Sequence, residues 1–160
     1  NHRFAYVSVL ASSSMPRSQI SVKNITGNLD ISATAEVLLV SHVTGPFTIS
    51  GNTSKTILTD ILWQQFPNNS NAYSIRSTQD LDITLAPDLK ATITGGPLIN
   101  GRLYSDLALI QHQDSVKNSV AHDPKYPGQY IRVMDMALNG GGIKIDIAAT
   151  YGNIYLRKAK

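Results

Sequence analysis

The sequence predicts an all-β fold, a parallel β-solenoid with coils of about 18 residues, on three observations. The first is composition. A single Glu (Glu36) stands against ten Asp, and Ser, Thr, Asn and Gly are abundant, so strong helix formers are few and turn formers many. The second is an internal repeat. Thr26-Gly27-Asn28-Leu29-Asp30-Ile31-Ser32 is echoed 18 residues later by Thr44-Gly45-Pro46-Phe47-Thr48-Ile49-Ser50. The third is the alternation within each unit. Strands of four or five residues cannot bury an apolar face alone, but stacked at the ~4.8 Å strand spacing they build a continuous core.

Taken in order, residues 4–11 resemble the apolar core of a signal peptide. Their aromatic and β-branched content, with Phe4, Tyr6 and Ser8 on one face, reads better as a strand. Ile20, Val22 and Ile25 precede the Gly27 corner, and Leu29 and Ile31 follow it. Val37, Leu39 and Val43 precede the Gly45 corner, and Phe47 and Ile49 follow. One phase runs from Leu29 through Phe47 to Ile83, in Asp80-Leu81-Asp82-Ile83-Thr84-Leu85. A second runs Ile20, Leu38, Ile57, Ile75, Ile93. Two stretches leave the register, near 66–72 and 111–129. Both are rich in turn formers and read as inserted loops. Beyond them come a strand at 130–134, a tight corner at Asn139-Gly140-Gly141-Gly142, and alternating strands at 143–147 and 154–156 around the turn Thr150-Tyr151-Gly152-Asn153. Residues 1–160 form one domain on this reading. The alternative architecture is an antiparallel β-sandwich, which short strands every ~8–12 residues also fit. The two 18-residue phases favour the solenoid.

Hydrophobic residues at 42% and charged residues at 16% exclude a disordered charged tail and a coiled coil. The net charge of +3 comes from scattered basic residues, clustered only at 157–160, so nucleic acid is not an expected partner. With no Cys, disulfide scaffolds, thiol catalysis and Cys-ligated zinc are excluded. No apolar run reaches the ~18 residues of a membrane helix, so membrane attachment is expected only through parts absent from this chain. The start at Asn1 suggests a chain cut from a longer precursor.

Asp80 and Asp82 alternate along one strand and therefore emerge on one face about 7 Å apart, a separation inverting glycosidases use. The favoured reading places both on the solvent side, with Leu81, Ile83 and Leu85 facing the core. Asp106 could join them from a neighbouring coil. Three carboxylates without an Arg or Lys make a poor acid–base site and would sooner hold Ca²⁺. His112, Asp114, His122 and Asp123 fall in the second loop at spacings that match no zinc signature. No Ser occupies a Gly-x-Ser-x-Gly elbow, and the triple glycine lacks the Lys-Ser/Thr of a phosphate loop. The Asn-x-Ser/Thr patterns at Asn24, Asn52 and Asn68 carry meaning only in a eukaryotic secretory host. Trp63, Phe66, Tyr73, Tyr126 and Tyr130 flank the irregular loops. They read first as plugs that seat the loops on the coil, and second as a surface that stacks on sugar rings or anchors a protein. No cofactor or metal is expected.

The repeated Gly-x-Leu/Phe-x-Ile units, the string Asp80–Ala91, Asn100-Gly101-Arg102-Leu103-Tyr104-Ser105-Asp106 and the closing Gly140-Gly141-Gly142 … Gly152-Asn153-Ile154-Tyr155-Leu156-Arg157-Lys158 resemble a bacterial adhesin-domain family. That family has long been labelled a domain of unknown function and is related to auto-transporter adhesin head domains. The resemblance spans roughly residues 20–158 and implies a right-handed, single-stranded parallel β-helix without enzymatic activity. It also implies export to the periplasm, outer surface or medium. The chain departs from the family pattern at both loops and at Gln64-Gln65-Phe66, where a glycine is missing. The expected function is adhesion to a glycan or protein at the cell surface. The alternatives are a polysaccharide-acting enzyme using Asp80 and Asp82, and a structural unit that self-assembles through its end coils.

Overall fold

Alternating apolar residues along an extended chain bury one side chain in two, and Leu29–Thr44 shows how this chain also turns corners. Leu29, Ile31, Ala33 and Ala35 face inward; after Glu36 and Val37 the parity switches, so that Leu38 and Val40 are buried. At His42 (φ 53°) the backbone enters the left-handed region and the parity switches again to Val43. Asn24 (φ 59°) and Asp60 (φ 53°) stand one coil before and after His42, so a column of left-handed residues marks one corner. Asn, Asp and His are the non-glycine types that tolerate this conformation best.

The computed structural model describes residues 7–12, 18–66, 72–111, 121–122, 130–131 and 134–160. They form β1 (Val7–Ser12), β2 (Gln19–Thr26), β3 (Leu29–Thr44), β4 (Phe47–Thr59), β5 (Tyr73–Ser77), β6 (Asp80–Leu85), β7 (Ala91–Pro97), β8 (Leu103–Ser105), β9 (Leu109–Gln111), β10 (Ala121–His122), β11 (Tyr130–Ile131), β12 (Met134–Leu138), β13 (Ile143–Ala149) and β14 (Ile154–Lys158). There is no helix among the described residues. Twelve strands join in one curled, mostly parallel sheet.

The 18-residue step is real where the repeat is clearest. Leu29 pairs with Phe47, Ile31 with Ile49, and Ile20 with Leu38, all in parallel. The two phases do not continue as the sequence suggests. Leu38 pairs with Thr56, not Ile57; Ile75 lies beside Ile49, and Ile83 beside Leu58. Ile57 misses because it lies 19 residues after Leu38, while the later mismatches follow from the insertion near 66–72, which puts Tyr73 rather than a residue 18 positions on beside Phe47. Consecutive rungs β2, β3 and β4 are parallel, which overturns the β-sandwich alternative. Antiparallel pairing is confined, among the described residues, to β12 with β7 and β9 and to β10 with β11.

The C-terminal coil is out of sequence order. β13 lies between β5 and β7, and β14 between β6 and β8, so the last coil of the chain is an internal layer of the stack. β12 and β13 flank β7 on opposite edges, and residues 139–142 carry the chain across the end of β7. There Asn139 Nδ2 donates to the carbonyls of Pro87 and Leu89, and Gly142 packs so tightly on the Lys90 carbonyl that a Cβ would not fit. The triple glycine is thus a corner, as its composition implies.

One apolar cluster runs from Val22 to Leu156. Ile31, Leu38, Ile49, Leu58, Ile75, Ile83, Ile93 and Ile147 are at most 1% exposed, each contributing about 1.5–3 kcal/mol of burial. The buried Thr53, Thr56 and Ser77 hydroxyls bond one another at 2.8–3.3 Å.

Candidate functional site

The outward phases of β6, β14 and β8 lie side by side. Asp82 is in register with Tyr155, and Tyr155 with Tyr104, which makes a row across the three strands. Thr84 pairs with Arg157, and the Asp106 N–H donates to the Leu156 carbonyl, continuing the ladder past β8. At the other end the Asn153 N–H donates to Asp80 Oδ1 at 2.8 Å and the Arg102 N–H to Asn153 Oδ1 at 3.0 Å. Strand alternation thus sets Asp80, Asp82 and Thr84 beside Asn153, Tyr155 and Arg157, and those beside Arg102, Tyr104 and Asp106.

All three carboxylates singled out in the sequence belong to this face, but they do not converge, and Asp82, expected on the solvent side, is buried at 7% exposure. Asp82 is held by Arg157, whose Nε donates to Oδ1 at 2.9 Å and Oδ2 at 3.1 Å, while Lys55 Nζ lies 3.6 Å from Oδ2. Its negative charge is thereby matched by two cations. Asp80 accepts the Asn153 N–H through Oδ1. Asp106 sits past β8, with β14 between it and β6, about 10 Å away at the usual strand spacing. The expectation that these carboxylates lack an Arg or Lys neighbour is corrected by Arg157 and Lys55. Those cations arrive from strands far away in sequence, so spacing alone could not reveal them. No group of three or more metal-ligating side chains is gathered among the described residues.

At the centre of the face, the Tyr104 and Tyr155 rings stack with centroids 5.2 Å apart and planes 11° apart. The Arg157 guanidinium lies 5.2 Å from the Tyr155 centroid. β8 has β14 as its only strand neighbour among the described residues, so the far side of the Tyr104 ring has no strand over it, and Tyr104 is 46% exposed. Sequence reasoning missed both tyrosines. The available signal was an aromatic on the polar phase of a strand, Tyr155 between Ile154 and Leu156, and Tyr104 between Arg102 and Asp106.

The loop-flanking aromatics behave differently. Tyr73 is fully buried and Trp63 is 8% exposed; with Phe47 they form a cluster at centroid distances of 4.8–5.7 Å. Phe66 is half-buried against Tyr73 at 6.1 Å. The Tyr73 hydroxyl accepts from the Gln64 N–H at 2.8 Å and donates to the Gln64 carbonyl at 3.2 Å. Burial pushes its pKa above the ordinary phenol value, partly countered by the Gln64 bond. Trp63 and Tyr73 therefore seat the segment after β4 on the core, and as surface binding residues they are corrected. Tyr126, His112, Asp114 and Asp123 lie outside the described residues, as do the side chains of Tyr130 and His122.

No family model, no curated protein and no solved structure matches the chain.

Proposed function

We propose that the chain is a non-enzymatic contact module, a right-handed parallel β-solenoid of the adhesin-domain kind belonging to an exported bacterial envelope protein. It binds a glycan on the outer face of β6, β14 and β8. The observation that carries this reading is the open ring face of Tyr104, backed by Tyr155 and flanked along its strand by exposed Arg102 and Asp106. The electron-rich face of an aromatic ring attracts the C–H face of a pyranose. A guanidinium and a carboxylate about 7 Å to either side are placed to bond its hydroxyls. Lys55, Arg102 and Arg157 balance Asp80, Asp82 and Asp106, so the face has no net charge and suits a neutral sugar chain. The pairing of Asp82 with Arg157 and Lys55, and the separation of Asp106 from the other two carboxylates, argue against glycoside cleavage.

The test is a screen of the full chain against neutral and acidic polysaccharides, repeated with Tyr104→Ala. The expected result is retention of neutral glycans, at least ten-fold weaker in the variant, with an unchanged thermal midpoint and no release of reducing ends. Absence of any glycan binding, or equal binding by Tyr104→Ala, defeats the reading.

A further inference from the structure

We propose that the free edge of β8 pairs with the β8 edge of a second copy of this chain, antiparallel about a two-fold axis at Tyr104, and that this dimer is the closed state of the outer face of β6, β14 and β8. The pairing rests on the edge itself. Only its closing role rests on glycan binding at Tyr104.

β8 has β14 on one side and no strand on the other among the described residues. The Arg102 carbonyl accepts from the Ile154 N–H and the Asp106 N–H donates to the Leu156 carbonyl, so the even-numbered residues turn their main chain towards β14. Main-chain groups alternate between the two edges of a strand. Leu103 and Ser105 therefore aim theirs away from β14, a short template for another strand. The Ser105 hydroxyl bonds both the N–H and the carbonyl of Leu107, at 3.0 and 2.9 Å, and Leu107 enters the core, so the edge runs only from Arg102 to Asp106.

The side chains on that edge specify the second strand. Arg102, Tyr104 and Asp106 are all exposed on the outward phase, cation first and carboxylate last. The two charges stand ~13 Å apart along the strand, too far to meet within one chain. Neither is in an ion pair among the described residues. A second β8 laid antiparallel, Tyr104 opposite Tyr104, sets each Arg102 opposite the partner's Asp106 and closes both ion pairs at once. The main chain agrees with this register. Leu103 of each copy faces Ser105 of the other and exchanges two N–H···O=C bonds with it, which leaves the tyrosines as a close pair with Cα atoms about 4.5 Å apart. The free face of each Tyr104 ring then meets its counterpart, extending the Tyr155–Tyr104 stack to four rings. Sliding the strands by two residues breaks both ion pairs, and a parallel partner would set like charges opposite each other.

The dimer covers the Tyr104 face that a pyranose would occupy, so a bound sugar and a bound copy exclude each other. An edge of five residues makes a small contact that dissociates on dilution, and the monomer is then the glycan-binding form.

Sedimentation velocity of the full chain without glycan tests the pairing. The wild type is expected to pass from monomer to dimer and no further as concentration rises, more readily in low salt. Arg102→Asp sets two carboxylates opposite each other at both ends of the contact, and Asp106→Arg sets two cations there. Each variant alone is expected to self-associate at least ten-fold more weakly. An equal mixture of the two variants matches every charge, as does the double variant Arg102→Asp/Asp106→Arg, and both are expected to dimerise within about three-fold of wild type. Recovery in the mixture also shows that each variant is folded. A wild type still monomeric at about 1 mM, growth beyond the dimer, single variants that associate as the wild type does, or failure of both the mixture and the double variant to recover overturns the proposal. A retained neutral polysaccharide is expected to drive the wild-type dimer to monomer; a dimer unchanged by it overturns the closing role and leaves the pairing.

Discussion

Replacing Gly95 by Ala isolates the contact between β7 and the inserted coil. Gly95 has φ +95°, and a Cβ there would fall inside the radius of the Ile147 carbonyl oxygen, in the strand it pairs with. The backbone term costs about 1–2 kcal/mol. Pushing the Ile147 carbonyl aside loses one or two ladder bonds, at about 1 kcal/mol each. The expected loss is therefore about 2–4 kcal/mol. Gly140 is the control: its φ is +86°, but nothing lies within 4 Å of an added Cβ, so Gly140→Ala carries only the backbone term. With a urea slope of about 2 kcal/mol/M for a chain of this size, Gly95→Ala lowers the midpoint by about 1–2 M and Gly140→Ala by about 0.5–1 M. Equilibrium urea unfolding followed by far-UV circular dichroism measures both. Equal shifts in the two variants would refute the packing of β13 on β7.

Tyr73→Phe is expected to cost about 0.5–1.5 kcal/mol at neutral pH, since the Gln64 N–H and carbonyl lose the hydroxyl. Its alkaline behaviour is more telling. Above the ordinary phenol value of 10.0 the unfolded chain releases the proton while the buried hydroxyl keeps it, so this contribution is intact below pH 10 and is lost as pH rises towards the raised folded value. The wild-type minus Tyr73→Phe stability difference should shrink over that window; a flat difference contradicts the burial argument. Asp82→Ala is expected to cost about 1–2 kcal/mol, below the range for a fully buried pair because Arg157 and Lys55 are 49% and 41% exposed and can return to water. Calorimetry in low and high salt checks this, and a loss above 4 kcal/mol would mean that those cations are trapped.

How much of this was legible in the sequence follows from which contacts are local in period. Leu29, Phe47, Ile31 and Ile49 announce their own stacking, because consecutive coils of equal length repeat the same side chain at the same place. The 66–72 insertion lengthens one repeat, and from there the phases point to the wrong neighbours, as Ile75 did. The position of the last coil was hidden for a different reason. Ile93 follows Ile75 by the regular step, so the local pattern describes a continuous stack, while the inserted strand satisfies the same apolar faces from 50 or more residues away. The carboxylates were recognisable as one face because alternation is local. The Arg157 partner and the Tyr104–Tyr155 stack depend on that insertion and could not be read from spacing.

The insertion itself is open to one direct comparison. Arg76 pairs with Ala148 in the structure, whereas an uninterrupted 18-residue repeat would place it beside Thr94. The account predicts that Arg76→Cys/Ala148→Cys forms an intramolecular disulfide in the folded monomer and that Arg76→Cys/Thr94→Cys does not, as read by mass spectrometry of non-reduced digests. Efficient closure of the 76–94 pair, with none at 76–148, would contradict it.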